Sequence, residues 1–97
     1  MRIIGGWDTR PDISSIILAY ADTYKHTDAI AIAPYIGGNL RGFRESKTVD
    51  DIFKLLTDKK SYRSLPKIME ELEKHAELAD EFGVSLIAYE GGQCLVD

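Results

Sequence analysis

Three short apolar runs, separated by stretches with helical spacing, constrain the fold of this chain more than any other feature. The runs lie at 2–7, 29–35 and 84–89 and are rich in Ile, Leu, Val, Ala and aromatic residues. Such nearly continuous runs are typical of strands buried on both faces of a parallel sheet. Because parallel strands need crossover connections, which are right-handed in nearly all cases, the intervening stretches are predicted to be helical. The pattern therefore predicts an α/β fold with three parallel strands and helical crossovers, in the order β-α-β-α-α-β.

The first crossover is predicted to be one helix. It begins near Pro11 and Asp12, because proline suits the first turn of a helix and an aspartate can accept hydrogen bonds from its free amides. The residues expected to share its apolar stripe are Ile13, Ile16, Ile17, Tyr20 and Tyr24.

The second crossover is predicted to contain two helices. One runs from about Val49 to Lys59, behind Thr48 and Asp51, which have the spacing of a capping box. The other enters around Ser64 and stops at Gly83, a residue type common just past the end of a helix. Apolar residues in this last helix follow three- and four-residue steps: Leu65, Ile68, Met69, Leu72, Ala76, Ala79 and Phe82.

Length and charge limit the partners of the chain. Its 97 residues predict a single domain, 1–97. With 16 acidic and 12 basic side chains, the chain lacks the basic excess that a phosphate backbone attracts, so no nucleic-acid partner is expected. No apolar run approaches the roughly 20 residues of a membrane span, and no secretory leader is recognised, so we expect no membrane partner and a cytoplasmic location.

Cysteine, histidine and glycine spacing give no sign of a bound metal or cofactor. The single cysteine, Cys94, excludes an internal disulfide and a multi-cysteine metal site. His26 and His75 have no second histidine at ligand spacing and are interpreted as surface or boundary residues. Since the glycines match neither nucleotide-binding motif, we expect neither a metal nor a cofactor.

Each predicted strand ends in an aromatic residue, glycines and a polar or acidic group. The three exits contain Trp7 and Asp8, then Tyr35 and Asn39, then Tyr89, Glu90 and Gln93. Because the carboxyl ends of parallel strands meet at one edge of a sheet, these residues are expected to lie together. Aromatic faces stack on sugar rings, and a carboxylate can act as acid, base or nucleophile. The exits therefore predict a carbohydrate-type cleft with Glu90 as the catalytic candidate and the other side chains, Asp8 excepted, as substrate-binding candidates.

The same exits have a simpler interpretation. Glycine pairs also form tight strand-to-loop turns, and aromatic residues beside them often cap a core. In that case the three exits carry no ligand.

Alternation along the strands predicts which residues share a sheet face, since residues two apart point the same way. One face is predicted to hold mainly small residues: Ala31, Ala33, Tyr35, Leu86, Ala88 and Glu90. The Glu90 carboxylate is expected at the narrow end of this face, where water is scarce. The opposite set is predicted to pack under the helices: Ile30, Ile32, Ser85 and Ile87.

Two segments resemble a known family. They read Asp28-Ala-Ile-Ala-Ile-Ala-Pro-Tyr35-Ile-Gly-Gly38 and Leu86-Ile-Ala-Tyr89-Glu90-Gly-Gly-Gln93, and two predicted helices and a Phe82-Gly83 turn separate them. The chain is similar to the late strands of glycoside-hydrolase-like (β/α)8 TIM barrels, of the kind often labelled cellulose-binding-domain or cellulase-like proteins. The resemblance covers nearly the whole chain.

The resemblance implies that the three strands correspond to the fifth, sixth and seventh of such a barrel. In the retaining glycosidases of that clan, a glutamate at the end of the seventh strand is the nucleophile, and the matching residue is Glu90. The resemblance also implies that Trp7, Tyr35 and Tyr89 shape the sugar site, although Trp7 and Tyr35 match only by position and residue type.

The chain departs from this family in length. A complete barrel takes about 250 residues, so this chain supplies roughly three of eight units. Retaining hydrolysis needs two carboxyl groups about 5 Å apart, and the family's acid/base glutamate belongs to the fourth strand, which has no counterpart here. Asp8, Glu45 and Asp50 are interpreted as solvated or helix-terminal charges. Catalysis is therefore expected only if another chain supplies the second carboxylate.

Alternatives stay open for both fold and function. A small doubly wound domain, with the first strand in the centre and helices on both faces, is the alternative fold. A non-catalytic module that self-assembles or binds an unknown ligand is the alternative function. Because a barrel fragment leaves one sheet face and two sheet edges open, we expect a homo-oligomer.

Overall fold

The computed structural model describes residues 1–38 and 48–95. Its strands and α-helices are β1 Ile3–Gly5, α1 Pro11–Ala19, β2 Ala29–Ile32, β3 Tyr35–Ile36, α2 Val49–Thr57, α3 Leu65–Phe82, β4 Ser85–Ala88 and β5 Gly92–Gln93. A short 3₁₀ segment, Tyr20–His26, follows α1. The predicted α/β class is confirmed, with β1, β2 and β4 in one parallel sheet.

The central strand of this sheet is β2, with β1 on one side and β4 on the other. Both pairings are parallel, and Ile4, Ile30 and Leu86 are aligned across the three strands. The doubly wound alternative is wrong, because it requires β1 in the centre. Since strand order follows chain order, right-handed crossovers return on the same face of the sheet each time.

An ion pair at the amino ends of β1 and β2 supports their register. The Asp28 carboxylate accepts a hydrogen bond from the Arg2 backbone amide at 2.5 Å and from its guanidinium at 3.2 Å. Hydrogen bonding to the Arg2 side chain, and then to its amide, lowers the pKa of Asp28 to about 2. Both partners are exposed, so the pair aligns the strands more than it stabilises them.

The helix-covered face of the sheet forms the apolar core. Leu18 of α1, Ile30 of β2, Ala79 of α3 and the adjacent Val84 are buried against one another. The partly buried residues packed on this cluster are Tyr24, Leu78, Phe82 and Leu86. Both crossovers therefore bury their apolar side chains against the same face.

The predicted assignment of β4 residues to the two faces is wrong. Leu86 is aligned with Ile30 and packs in the helix-covered core, whereas Ile87 is aligned with Ala31 and belongs to the other face. The alternation itself is correct, but a shift of one residue in pairing exchanges the two faces of a strand. The small residues of the second face are therefore Gly5, Ala29, Ala31 and Ser85.

The buried side of α1 also differs from the predicted stripe. Ser14 and Leu18, one turn apart, are buried, whereas Ile16 and Tyr20 are exposed. The helix ends at Ala19, and the next residues include Ala21 and Asp22 in the left-handed region. This break means that a single helical stripe cannot extend from Ile13 to Tyr24.

The ends of the other helices agree with the predictions. Thr48 and Asp51 form the capping box of α2, with amide-to-side-chain distances of 3.1 and 3.2 Å. Ser64 accepts a hydrogen bond from the Lys67 amide at the start of α3, and Gly83 ends that helix with φ 68°.

The buried side of α3 contains a histidine that the sequence pattern placed at the surface. Ile68, His75 and Ala79 are buried, whereas Leu65 and Met69 of the predicted stripe are exposed. The prediction for His75 is wrong because its ring has hydrogen-bond partners inside the protein. The Ser14 hydroxyl lies 3.0 Å from Nε2, and the Glu71 carbonyl oxygen lies 3.3 Å from Nδ1.

A second, two-stranded sheet continues the first at its carboxyl end. The chain bends at Ala33 and Pro34, and β3 then pairs in parallel with β5. Tyr35 is aligned with Gly92, and Ile36 with Gln93. This extension was not predicted, because each run was interpreted as one uninterrupted strand.

Of the helices that the structure describes, none has the length and apolar character needed to cross a membrane.

The contact between β1 and α1 predicts a large difference between two neighbouring glycines. A Cβ at Gly6 would lie 2.9 Å from Ser14 Oγ and 3.3 Å from Ile32 Cγ2, whereas a Cβ at Gly5 would meet no atom within 4 Å. We expect Gly6→Ala to lower the free energy of unfolding by about 1–3 kcal/mol, since overpacking forces neighbouring atoms to shift. Gly5→Ala, the matched control, should leave it within about 0.5 kcal/mol. Urea titration measures both, and equal losses would contradict the packing described here.

Candidate functional site

The three strand exits meet in one cleft at the carboxyl end of the sheet. The cleft has a volume of ≈ 330 Å³, and its lining residues are Trp7, Asp8, Ala33, Tyr35, Arg63, Tyr89 and Cys94. Trp7, Tyr35 and Tyr89, three of the predicted substrate-binding residues, are therefore brought together. The sheet accounts for this, because parallel strands end at the same edge.

The aromatic side chains of the cleft differ in their access to solvent. Trp7 and Tyr89 are 67% and 53% exposed, whereas Tyr35 is half-buried. Large aromatic surfaces that stay open beside polar groups are suited to stacking on a flat ligand.

At the third exit, the turn of Tyr89 and Glu90 lies close to the backbone that follows β2. A Cβ at Gly91 would lie 3.1 Å from the Pro34 carbonyl oxygen and 3.2–3.3 Å from the Pro34 ring. The Tyr89 amide also donates to the Ile32 carbonyl at 3.0 Å. A glycine at this position therefore allows the turn that follows β4 to pack on the bend that follows β2.

An ion pair between Asp8 and Arg63 forms the polar wall of the cleft. The side chains are only 19% and 21% exposed, and Arg63 Nη2 donates to Asp8 Oδ2. Both residues have positive φ, 56° and 58°. The interpretation of Asp8 as a solvated charge is wrong, because its side chain is mostly buried and paired with Arg63.

Arg63 is held in place by several neighbours. Its guanidinium lies 5.2 Å from the centre of the Tyr62 ring and 5.9 Å from that of Tyr35, within the range of cation–π attraction. Its carbonyl oxygen accepts from the Gly37 amide at 2.8 Å. Arg63 was not among the predicted site residues, since it lies 55 positions after Asp8 in the loop between α2 and α3 and belongs to no motif.

Glu90 lies at the rim of the cleft beside Tyr35. Hydrogen bonding to Glu90, together with burial and the negative charge of that carboxylate, raises the pKa of Tyr35 to about 12. Glu90 itself is exposed, so the prediction of a water-poor surrounding is wrong. The chain bends after Ala88, so alternation along β4 does not extend to Glu90.

Of the remaining predicted residues, those that the structure describes do not line the cleft. Gln93 is exposed in β5, and its side-chain oxygen accepts from the Leu95 amide at 3.0 Å. Asn39 and Glu45 lie outside the described residues. Asp50 lies in the first turn of α2, consistent with a helix-terminal charge.

A buried polar cluster connects the helices behind the cleft. Thr9, Ser14 and His75 are buried, and Thr9 donates from its hydroxyl to the Glu71 carboxylate. Burial lowers the pKa of His75, although the nearby Glu71 acts in the opposite direction. A histidine at the i+4 position from a glutamate on the buried side of α3 was the sequence feature that could have indicated this cluster.

Comparisons of the chain with protein-family models, curated proteins and solved structures found no match. The geometry of the cleft is therefore the basis for assigning a function.

The contact between Tyr35 and Glu90 predicts an unusual titration. The phenol of Tyr35 should titrate near pH 12 in the folded protein, instead of near pH 10. The stabilisation from this raised pKa is complete below about pH 10 and is lost as the pH rises through about 12. Glu90→Gln removes the charge and should return the titration toward about pH 10. NMR of ¹³C-labelled tyrosine measures this, with Glu77→Gln on the exposed side of α3 as the control. A titration unchanged by Glu90→Gln would contradict the contact.

Proposed function

We propose that this chain binds a carbohydrate in the cleft at the carboxyl ends of its strands, as part of a glycoside-hydrolase-like barrel. The observation that carries the proposal is the meeting of Trp7, Tyr35 and Tyr89 beside the Asp8–Arg63 ion pair in one cleft.

Sugar rings have an apolar face and a rim of hydroxyl groups, and the cleft offers a partner for each. The exposed surfaces of Trp7 and Tyr89 suit stacking on the ring face. Asp8 can accept from a hydroxyl, and Arg63 can donate to one. Since both are held by their mutual pair, they are positioned before the ligand arrives.

Strand order supports the relation to a barrel. The sheet has the order β1-β2-β4, and both α1 and α3 cover the same face of it. This is the arrangement of consecutive units in a (β/α)8 barrel, whose ligand sites lie at the carboxyl ends of the strands.

Glu90 is the candidate nucleophile of the proposal. Its carboxylate is exposed beside Tyr35 and raises the pKa of that phenol. Glu90 does not itself line the described cleft; the carboxylate among the lining residues is Asp8, and Arg63 engages it. Hydrolysis with retention therefore requires an acid from another chain.

Ligand binding should depend on the aromatic residues of the cleft. We expect Trp7→Ala and Tyr89→Ala each to weaken the binding of short oligosaccharides about fivefold or more, since a stacking contact contributes on the order of 1 kcal/mol or more. Tyr20→Ala is the matched control, because Tyr20 is as exposed as Trp7 but lies at the end of α1. Titration calorimetry against a panel of β-linked and α-linked glucans tests this, and equal weakening by all three variants would refute the site.

Catalysis is tested separately with Glu90. If a glycan of the panel is hydrolysed, Glu90→Gln should abolish turnover while the thermal unfolding midpoint stays unchanged, since Glu90 is exposed. Activity retained in this variant would remove the nucleophile assignment and leave the binding proposal in place.

Self-assembly is the second candidate function, favoured by the uncovered apolar surface. Ile3 on the edge strand β1 is 51% exposed, and Phe53, Tyr62 and Met69 are also exposed. The radius of gyration, 15.7 Å, exceeds the about 12.5 Å expected for a compact domain of this length. An open parallel edge of this kind can pair with another copy.

Light scattering over a range of concentrations tests this candidate. We expect a dimer or larger particle that Ile3→Lys converts to a monomer, because a charged side chain on an edge strand opposes pairing. Thr57→Lys, an exposed position at the end of α2, is the control. A monomer at all concentrations would exclude self-assembly and would leave the sugar-binding proposal unaffected.

A further inference from the structure

A fully buried histidine lies behind the cleft, in contact with both helices that cover the sheet. His75 of α3 is 0% exposed, and its Nε2 lies 3.0 Å from the hydroxyl of Ser14, which is also 0% exposed. Its Nδ1 lies 3.3 Å from the Glu71 carbonyl oxygen.

These contacts define the tautomer and charge of the ring. A carbonyl oxygen can only accept, so Nδ1 carries the proton and donates to Glu71. Nε2 is then the acceptor for the Ser14 hydroxyl. Both ring nitrogens are satisfied in the neutral state, and a second ring proton on Nε2 would reverse the hydrogen bond with Ser14, whose hydroxyl oxygen can also accept.

Two carboxylates face the ring, one from each helix. Glu71 of α3 and Asp12 of α1 both act on His75, and burial opposes them by lowering its pKa. Asp12 is already paired with Arg10, at 2.7 Å between Nη2 and Oδ2. From the sheet side, Gly6 and Ile32 lie next to Ser14 and bring no charge.

The Glu71 carboxylate, by contrast, accepts a hydrogen bond from the neutral hydroxyl of Thr9. Thr9 is buried in the loop between β1 and α1, directly after Trp7 and Asp8 of the cleft. The Trp7 carbonyl oxygen also accepts from the Arg10 amide at 3.1 Å, so the loop is one tight turn. A movement of the Glu71 carboxylate therefore reaches the loop of Trp7 and Asp8 through its hydrogen bond with Thr9.

We propose that protonation of His75 is a switch for the cleft: the imidazolium draws the Glu71 carboxylate away from Thr9 and releases the loop that carries Trp7 and Asp8. A hydrogen bond between an imidazolium and a carboxylate joins two ionised groups and is stronger than one between a carboxylate and a neutral hydroxyl, which gives the direction of the exchange. The ring and the carboxylate are four residues apart on α3, within reach of each other. The effect on a bound sugar rests on the proposed function, whereas the movement of the loop does not.

Trp7 reports on this switch directly, because it is the single tryptophan of the chain. Its emission and its quenching by acrylamide are followed from about pH 7.5 to about pH 5, a range in which a histidine titrates and ordinary carboxyl groups stay largely ionised. Far-UV circular dichroism on the same samples reports the fold. We expect a shift in Trp7 emission and greater quenching at the acid end, with an unchanged far-UV spectrum.

Four variants separate the switch from other titrations. His75→Gln keeps an acceptor for Ser14 but cannot gain a charge, so the pH response should disappear. Glu71→Gln keeps an acceptor for Thr9 without the charge and should also give a flat response. Thr9→Val should show the acid-form emission already at neutral pH. His26→Gln changes the exposed histidine and should respond like the unchanged protein.

The outcomes are decisive even if one variant does not fold. Constant Trp7 emission in the unchanged protein, or a response that persists in either His75→Gln or Glu71→Gln, overturns the switch. A response accompanied by loss of the far-UV spectrum also overturns it, since the histidine would then titrate only on unfolding. Sugar binding measured at both ends of the range tests the link to the proposed function: a switch without binding removes only that function.

Discussion

The parallel pairing of the buried strand β2 with β1 on one side and β4 on the other determines the geometry of the candidate site. All four of its residues are buried, and each edge carries a parallel strand in register. Because both neighbours run in the same direction as β2, the three strands leave the sheet at its same, carboxyl end. Trp7, Tyr35 and Tyr89 come from distant parts of the sequence and share a cleft for this reason alone.

Polar contacts, in contrast, fix the wall of the cleft. The apolar core lies lower, around Leu18 and Ile30, and does not extend to the β1–α1 loop. That loop is held by Asp8 to Arg63 and by Thr9 to Glu71, so its position depends on charges and hydroxyls rather than on apolar packing. Contacts of this kind respond to protonation in a way that a packed apolar core does not. The same feature that orders the loop therefore also makes it adjustable.

Local signals in the sequence were sufficient for the fold class and for several helix ends. The capping box of Thr48 and Asp51 and the stop at Gly83 depend on neighbouring residues, and both were predicted correctly. Register and burial were less accessible, because they depend on contacts between distant segments. Leu86 was assigned to the wrong face since alternation gives two equivalent choices, and pairing with Ile30 selects one.

The candidate site shows the same division between local and distant information. Its aromatic residues were recognised because each follows an apolar run, and parallel strands end together. Arg63 has no such signal, since a loop arginine becomes a site residue only when the fold brings it to Asp8. His75 was misplaced because histidine is polar, whereas Ser14 and the Glu71 carbonyl supply the partners that permit its burial.

The two proposed functions are physically connected through the open edges of the sheet. In the proposal Glu90 is the nucleophile beside the cleft, and Asp8, the carboxylate among the described lining residues, is engaged by Arg63, so that lining offers no second free carboxylate to protonate a leaving group. In the proposed assembly, another chain brings the acid beside β1 or β4, whose outer edges have no strand partner among the described residues. Association of another chain at such an edge would bury the exposed Ile3 and bring side chains to the cleft in one event. In this proposal, binding is the property of the single chain, and any hydrolysis is a property of the assembly.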